Sequence, residues 1–154
     1  MTAEGKRRVI IAVDGSGHSD NAFQWYIDNL MKPDDYVYGV LVPEYKLRNI
    51  TVGPFSDPEA LSKEFGEQHA RVEKMCSNYT ATLRSANCKG QVDSYPTDKS
   101  VGAEICEQAG KLRADVIVMG TRGMSQAQQF IMGSISNYVM HHARCPVTVV
   151  PMSK

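Results

Sequence analysis

Two hydrophobic rhythms alternate along this chain. Arg8 to Val13 is a nearly unbroken apolar run, the pattern of a strand buried on both faces of a parallel sheet. Apolar residues then recur at Ala22, Phe23, Tyr26, Ile27 and Leu30, which is helical spacing, with Ser16 placed as an N-cap. Tyr36 to Val42 is the predicted second strand, stopped by Pro43. Glu44 to Ser56 has no clear period and is long for a loop in a compact domain; such loops are often functional covers. Asp57-Pro58-Glu59 starts a helix well, with an N-cap, a first-turn proline and an early acid. Leu61, Phe65, Val72, Cys76, Tyr79 and Leu83 keep one face of that helix apolar.

The alternation continues to the end. Lys89 to Tyr95 alternates weakly, as an edge strand does, and Val101, Ile105, Ala109 and Leu112 mark a third helix. Ala114 to Gly120 is a second central strand, Gly133 to Ala143 a fourth helix, and Cys145 to Pro151 the closing strand. Five strands with crossover helices predict an α/β fold, a doubly wound five-stranded parallel sheet with helices on both faces. The order 3-2-1-4-5 sets the two most apolar strands side by side at the centre. Ligands in such sheets sit beyond the strand C-termini where the winding reverses. That crevice brings Asp14-Gly15-Ser16 next to Gly120-Thr121-Arg122-Gly123, segments far apart in sequence.

Composition narrows the function classes. The 154 residues suit a single domain spanning 1–154, with 42% hydrophobic and 22% charged residues. Seventeen basic and seventeen acidic residues cancel, so no bulk field favours nucleic acid or an anionic membrane. No run approaches the ~18 apolar residues of a membrane span. The first eight residues carry no stretch resembling a secretory signal. Cys76, Cys88, Cys106 and Cys145 form no C-x-x-C pair, and reduced thiols in a cytoplasmic protein are the expectation. The methionines read as core fillers.

The glycines carry the chemistry. Gly15 and Gly17 shape the first strand-to-helix turn and resemble the opening of a dinucleotide fingerprint, but Asp20 stands where the third glycine belongs. That motif also needs an acid at the end of the second strand, and Asp34 and Asp35 stand at its start. Gly120 and Gly123, then nine residues, then Gly133-Ser134 with Ser136 beyond, form a second pattern. Glycine at a strand exit lets backbone approach a ligand closely, and free N–H groups at the helix start favour an anion. Ser134 and Ser136 add hydroxyl donors and Arg122 a positive charge, together a phosphate cradle without a P-loop lysine. The alternative is that these glycines only allow tight strand-loop-helix packing.

The spacing G-x2-G-x9-G-S, the opening "AVDGS", the "LVPE" strand exit, "ADVIVMG" and the closing "CPVTVV" together resemble the ATP-binding universal stress proteins over nearly the whole chain. The resemblance implies that Asp14, with Ala12 and Val13 before it, contacts the nucleoside, and that Val42 meets adenine through its backbone. It places Met119, Gly120, Arg122 and Gly123 along ribose and phosphates, and Gly133, Ser134, Ile135 and Ser136 at the phosphate-binding helix start. Ala12 departs from the proline that many members carry there. The ligand so implied is ATP, with AMP or ADP as alternatives and Mg²⁺ accompanying ATP. The role so implied is a nucleotide-dependent switch in stress response.

Other functions are weighed against it. A slow ATP hydrolase would need a base, and none is obvious near Ser134. His18 reads as a solvated helix residue. A phosphoreceiver at Asp14 would want further acids and a lysine at the last strand. A dimeric scaffold without nucleotide would make the glycine motif a packing device. The adjacent His141 and His142 point about 100° apart on a helix and suggest no metal. Lys111 and Arg113 read as a solvated face. Val147-Thr148-Val149-Val150 would form an apolar edge, and antiparallel pairing with a second copy would cover it as a homodimer.

Overall fold

In the computed structural model, which describes residues 6–45, 54, 56–121 and 132–152, strand and helix alternate as the apolar pattern requires. The elements are β1 (Arg7–Val13), α1 (Gly17–Trp25) with a π-helical turn (Tyr26–Leu30), β2 (Asp35–Leu41), α2 (Pro58–Ser85), β3 (Lys89–Ser94), α3 (Val101–Lys111), β4 (Val116–Gly120), α4 (Ser134–His142) and β5 (Val147–Val150). The strands form one sheet in the order β3-β2-β1-β4-β5, all parallel, as predicted.

Side chains along β1 alternate between two cores, as a period of two dictates. Val9, Ile11 and Val13 pack with Phe23 and Tyr26 of the first helical segment and Val72, Cys76 and Leu83 of α2. Ile10 and Ala12 pack with Ile105 and Ala109 of α3 and Val139 of α4. Ile10, Ile11 and Ile117 are fully buried, each worth about 1.5–3 kcal/mol relative to exposure. The helix starts follow their polar residues. Ser16 Oγ accepts from Ser19 N–H at 3.3 Å, and Asp57 Oδ1 from Glu59 N–H at 3.0 Å ahead of Pro58.

The acid at the start of β2 closes the end of the sheet opposite the strand C-termini. Asp35 receives Arg7 Nε at 2.7 Å, Arg7 Nη2 at 2.6 Å, the Tyr26 hydroxyl at 2.6 Å and Lys32 N–H at 2.9 Å. Burial alone would raise its carboxyl, but these hydrogen bonds outweigh burial and hold it below the ordinary aspartate range. Arg7 Nη2 also donates to Leu30 O, and Met31 N–H to Tyr26 O, which seats the π-helical turn over the carboxylate.

α2 is the longest element. Its 28 residues run about 42 Å at 1.5 Å each, well beyond the strands it covers. Its buried residues, Val72, Cys76 and Leu83, all lie in its second half. The first half overhangs the C-terminal end of the sheet. The apolar face predicted from Leu61 and Phe65 is therefore not buried: Phe65 is 45% exposed and meets Tyr45 edge-on at 6.3 Å. Met140 and Met152 are likewise exposed rather than core fillers.

The two sheet edges differ. At β3, the mid-strand N–H of Val92 donates to Thr80 Oγ1 of α2 at 3.0 Å, and Gln91 and Asp93 bond each other at 2.7 Å. β5 has no strand on its outer side among the described residues.

Candidate functional site

Above the C-terminal ends of β1, β2 and β4 lies a cavity of about 850 Å³, within the range of small-molecule sites. It lies at the point where the winding reverses, between the strand that leads to α1 and the strand that precedes α4. On the α3/α4 side its wall is apolar, made by Ala12, Val40, Val42, Val101, Ile105, Met119 and Ile135. On the α2 side it is charged, with Lys63, Glu64, Glu67, Gln68 and Arg71 over Val72 and Met75.

Of the residues singled out in the sequence, Ala12, Val13, Asp14, Val42, Met119, Gly120, Gly133, Ile135 and Ser136 come together around this cavity. Ser134 is exposed at the first position of α4 and is not part of the lining. Arg122 and Gly123, with the loop 124–131 that follows, lie outside the described residues, as does most of the loop 44–56.

Asp14 ends β1 at the cavity rim. Its Oδ1 accepts Ser16 N–H at 2.9 Å and its own N–H donates to Ser19 Oγ at 3.2 Å, so the carboxylate is oriented before any ligand arrives. The next residue, Gly15, has φ +78°, a conformation that favours glycine. Gly17 differs from expectation. A side chain there would meet nothing within 4 Å, so the turn does not require it to be glycine. Gly120 is required, but by packing: a Cβ would sit 2.5 Å from the His18 carbonyl oxygen. Gly133 is the N-cap of α4 with φ −60°, open to any residue, so conformation does not account for the glycine. Ser136 Oγ donates to Gly133 O at 3.0 Å, which directs its proton to the backbone rather than into the cavity.

Lys63, Glu67, Arg71 and Met75 line the cavity without having been singled out in the sequence, and Tyr79, read there only as part of an apolar face, lies one turn beyond them. Tyr79 straps α2 to α1: its hydroxyl donates to the Asp20 carboxylate, lies 3.2 Å from Ser19 Oγ, and its ring is 5.0 Å from Phe23. Burial, then the bond to Asp20, pushes its pKa up to about 12. Lys63, Glu67, Arg71, Met75 and Tyr79 recur every four residues, the one signal that joins the charged wall to this strap. His18, expected to be solvated, lines the cavity with a half-buried ring.

Elsewhere several polar groups have structural partners. His141 Nδ1 and His142 Nδ1 each lie 2.8 Å from the carbonyl four residues earlier, and His142 stacks on Tyr138 at 3.9 Å. Lys111 bonds Glu107 at 2.7 Å on the outer face of α3. Burial raises the pKa of all four cysteine thiols, none of which is in a disulfide. No helix among the described residues is long and apolar enough to cross a membrane.

Fold and cavity together define a doubly wound α/β domain with a ligand-sized crevice at its switch point. The sequence profile of the universal stress protein family matches residues 6–151, and the chain belongs to that family. It is 29% identical to the universal stress protein MJ0531 of Methanocaldococcus jannaschii, over 96% of this chain and 84% of that protein. To PHOS34 of Arabidopsis thaliana it is 27% identical, over 97% of this chain and 63% of that protein. The fold is also that of a universal stress protein family structure from Arabidopsis thaliana with AMP bound (TM-score 0.69, 17% identity, 96% of this chain and 92% of that one). A structure from Archaeoglobus fulgidus in complex with dAMP shares it too (TM-score 0.59, 20% identity, 94% and 96%).

Proposed function

We propose that this chain binds an adenine nucleotide in the switch-point cavity and serves as a nucleotide-dependent switch in the cytoplasmic stress response. The observation that carries this is the pairing of an apolar chamber with a helix start at one crevice. Ala12, Val40, Val42, Ile105 and Met119 offer a purine-compatible surface. The N-terminus of α4 at Gly133 offers unpaired N–H groups and the positive end of a helix dipole to phosphate. Asp14, held by Ser16 N–H, accepts from the nucleoside. AMP and dAMP in the two structural relatives support the same assignment. ATP is the preferred ligand of this reading, and Mg²⁺ would come with it, coordinated mainly by the phosphates.

A homodimer through β5 belongs to the same proposal. β5 is the sheet edge without a strand on its outer side among the described residues, Val147, Thr148 and Val149 are half-buried there, and the exposed Met152 follows two residues beyond. A second copy would cover this edge.

The test begins with release and identification of any nucleotide that copurifies. Stripped protein is then titrated calorimetrically with ATP, ADP, AMP and NAD, with and without Mg²⁺. Saturable binding of adenine mononucleotides over NAD is expected. Folded protein that binds none of them would refute the proposal.

A further inference from the structure

The carboxylate at the cavity rim is oriented by its own turn, and that turn is held from another element. Asp14 Oδ1 accepts Ser16 N–H at 2.9 Å, and Asp14 N–H donates to Ser19 Oγ at 3.2 Å. Ser19 is buried, so the partners of its hydroxyl decide how firmly it holds. Two further oxygens lie 3.2 Å from it, the Ser16 carbonyl and the Tyr79 hydroxyl of α2.

The protons give this cluster a direction. A tyrosine hydroxyl has one proton, and that of Tyr79 goes to the Asp20 carboxylate. Toward Ser19 the Tyr79 oxygen can therefore only accept. Ser19 shares its own proton between Tyr79 and the Ser16 carbonyl, and keeps a lone pair for Asp14 N–H. The donors run in one sense, from Asp14 to Ser19 to Tyr79 to Asp20, and end on a carboxylate. Bonds chained in this way polarise and strengthen one another. Asp20 lies in the first turn of α1, where the helix dipole favours its negative charge.

α2 meets the same turn a second time. A Cβ on Gly15 would lie 2.5 Å from Met75 Sδ, so Met75 lies directly against the residue that follows Asp14. Met75 and Tyr79 are four positions apart and share a helix face. The Tyr79 ring packs on Phe23 at 5.0 Å, and Val72, Cys76 and Leu83 anchor α2 in the core. The turn is thus held by an element that is fixed independently of it.

We infer that Tyr79 is a positioning residue: through Ser19 it fixes the main chain at Asp14, and with it the carboxylate that faces the nucleoside. Its part in binding rests on the nucleotide reading above.

Tyr79→Phe removes the hydroxyl and keeps the ring on Phe23, so the test is made with a variant that preserves the packing. AMP is titrated calorimetrically into the parent, Tyr79→Phe, Asp14→Ala and the double variant. Loss of the hydroxyl is expected to weaken AMP about fivefold when Asp14 is present. In the Asp14→Ala background it should cost nothing more, because no carboxylate is left to place. Unchanged affinity in Tyr79→Phe refutes the role, and so does an equal loss in both backgrounds, the result a merely structural tyrosine would give. Amide hydrogen exchange in the ligand-free protein tests the route separately. Asp14 N–H should exchange faster in Tyr79→Phe relative to the Ile117 and Val118 amides of β4, and no relative change refutes the route. A folded parent that binds no nucleotide overturns the nucleotide reading, and exchange at Asp14 then still decides whether Tyr79 holds it.

Discussion

Gly120→Ala separates the two roles that a glycine at a strand exit can play. The added Cβ would lie 2.5 Å from the His18 carbonyl oxygen and 2.9 Å from its carbonyl carbon. Both neighbours are main chain, so no rotamer change relieves the overlap. Neither element yields readily: β4 is paired on both sides, to β1 and β5, and α1 is tied to Pro151 by Asn21. Overpacking of this kind costs about 1–3 kcal/mol. For a chain of this length that lowers Tm by roughly 2–12 °C, at about 2–4 °C per kcal/mol. Urea and thermal unfolding of the variant and parent measure it. Gly17→Ala is the control, since its side chain enters open space at the first turn of α1; it is expected to be neutral or stabilising by up to about 1 kcal/mol. If Gly120→Ala unfolds like the parent yet loses nucleotide binding, the packing argument is wrong and the glycine serves the ligand.

Other consequences can be measured separately. Asp35→Asn leaves the Arg7 guanidinium with a neutral partner and should cost about 3–5 kcal/mol in urea unfolding. Because the folded carboxyl titrates below its ordinary value, its contribution is complete above about pH 4 and fades as pH falls through the folded pKa. The variant should therefore lose less stability on acidification than the parent; parallel acid limbs would refute this. Gly133→Val puts a branched side chain at the α4 N-cap and should abolish nucleotide binding while far-UV circular dichroism stays unchanged. Asp14→Ala should weaken adenosine and AMP alike; parental affinity in both variants would remove the ligand from this crevice. Val149→Pro deletes a backbone donor in β5 and should yield monomers in sedimentation, and a persistent dimer would place the interface elsewhere.

Strands and their order were legible because a doubly buried strand leaves little freedom: Val9 to Val13 and Val116 to Met119 are buried on both faces, and their residues show it. Caps at Ser16 and Asp57 were legible because an N-cap is a local bond needing only its own turn. The charged wall was not. Lys63, Glu67 and Arg71 line a cavity open to solvent, and a polar residue facing a crevice has the same sequence pattern as one facing bulk water. His18 was hidden for a related reason, since its neighbour Gly120 is remote in sequence and nothing local marks the contact. Gly17 misled in the opposite direction: its place beside Gly15 suggested a shared conformational duty, yet only Gly15 takes a positive φ. The exposed Phe65 follows from the length of α2, whose apolar period continues past the last strand residue able to cover it.

The bond from Val92 N–H to Thr80 bears on how many copies could associate. A sheet with two receptive margins can accept a neighbour on each and propagate without limit, as fibrils do. Here one margin has its mid-strand donor occupied from within the same chain, by a hydroxyl borrowed from α2. Addition across β5 would then leave β3 as the margin open to a third copy, with its mid-strand donor already taken. The threonine on one helix thus removes one donor from that margin, which would weigh against strand-to-strand growth beyond a pair.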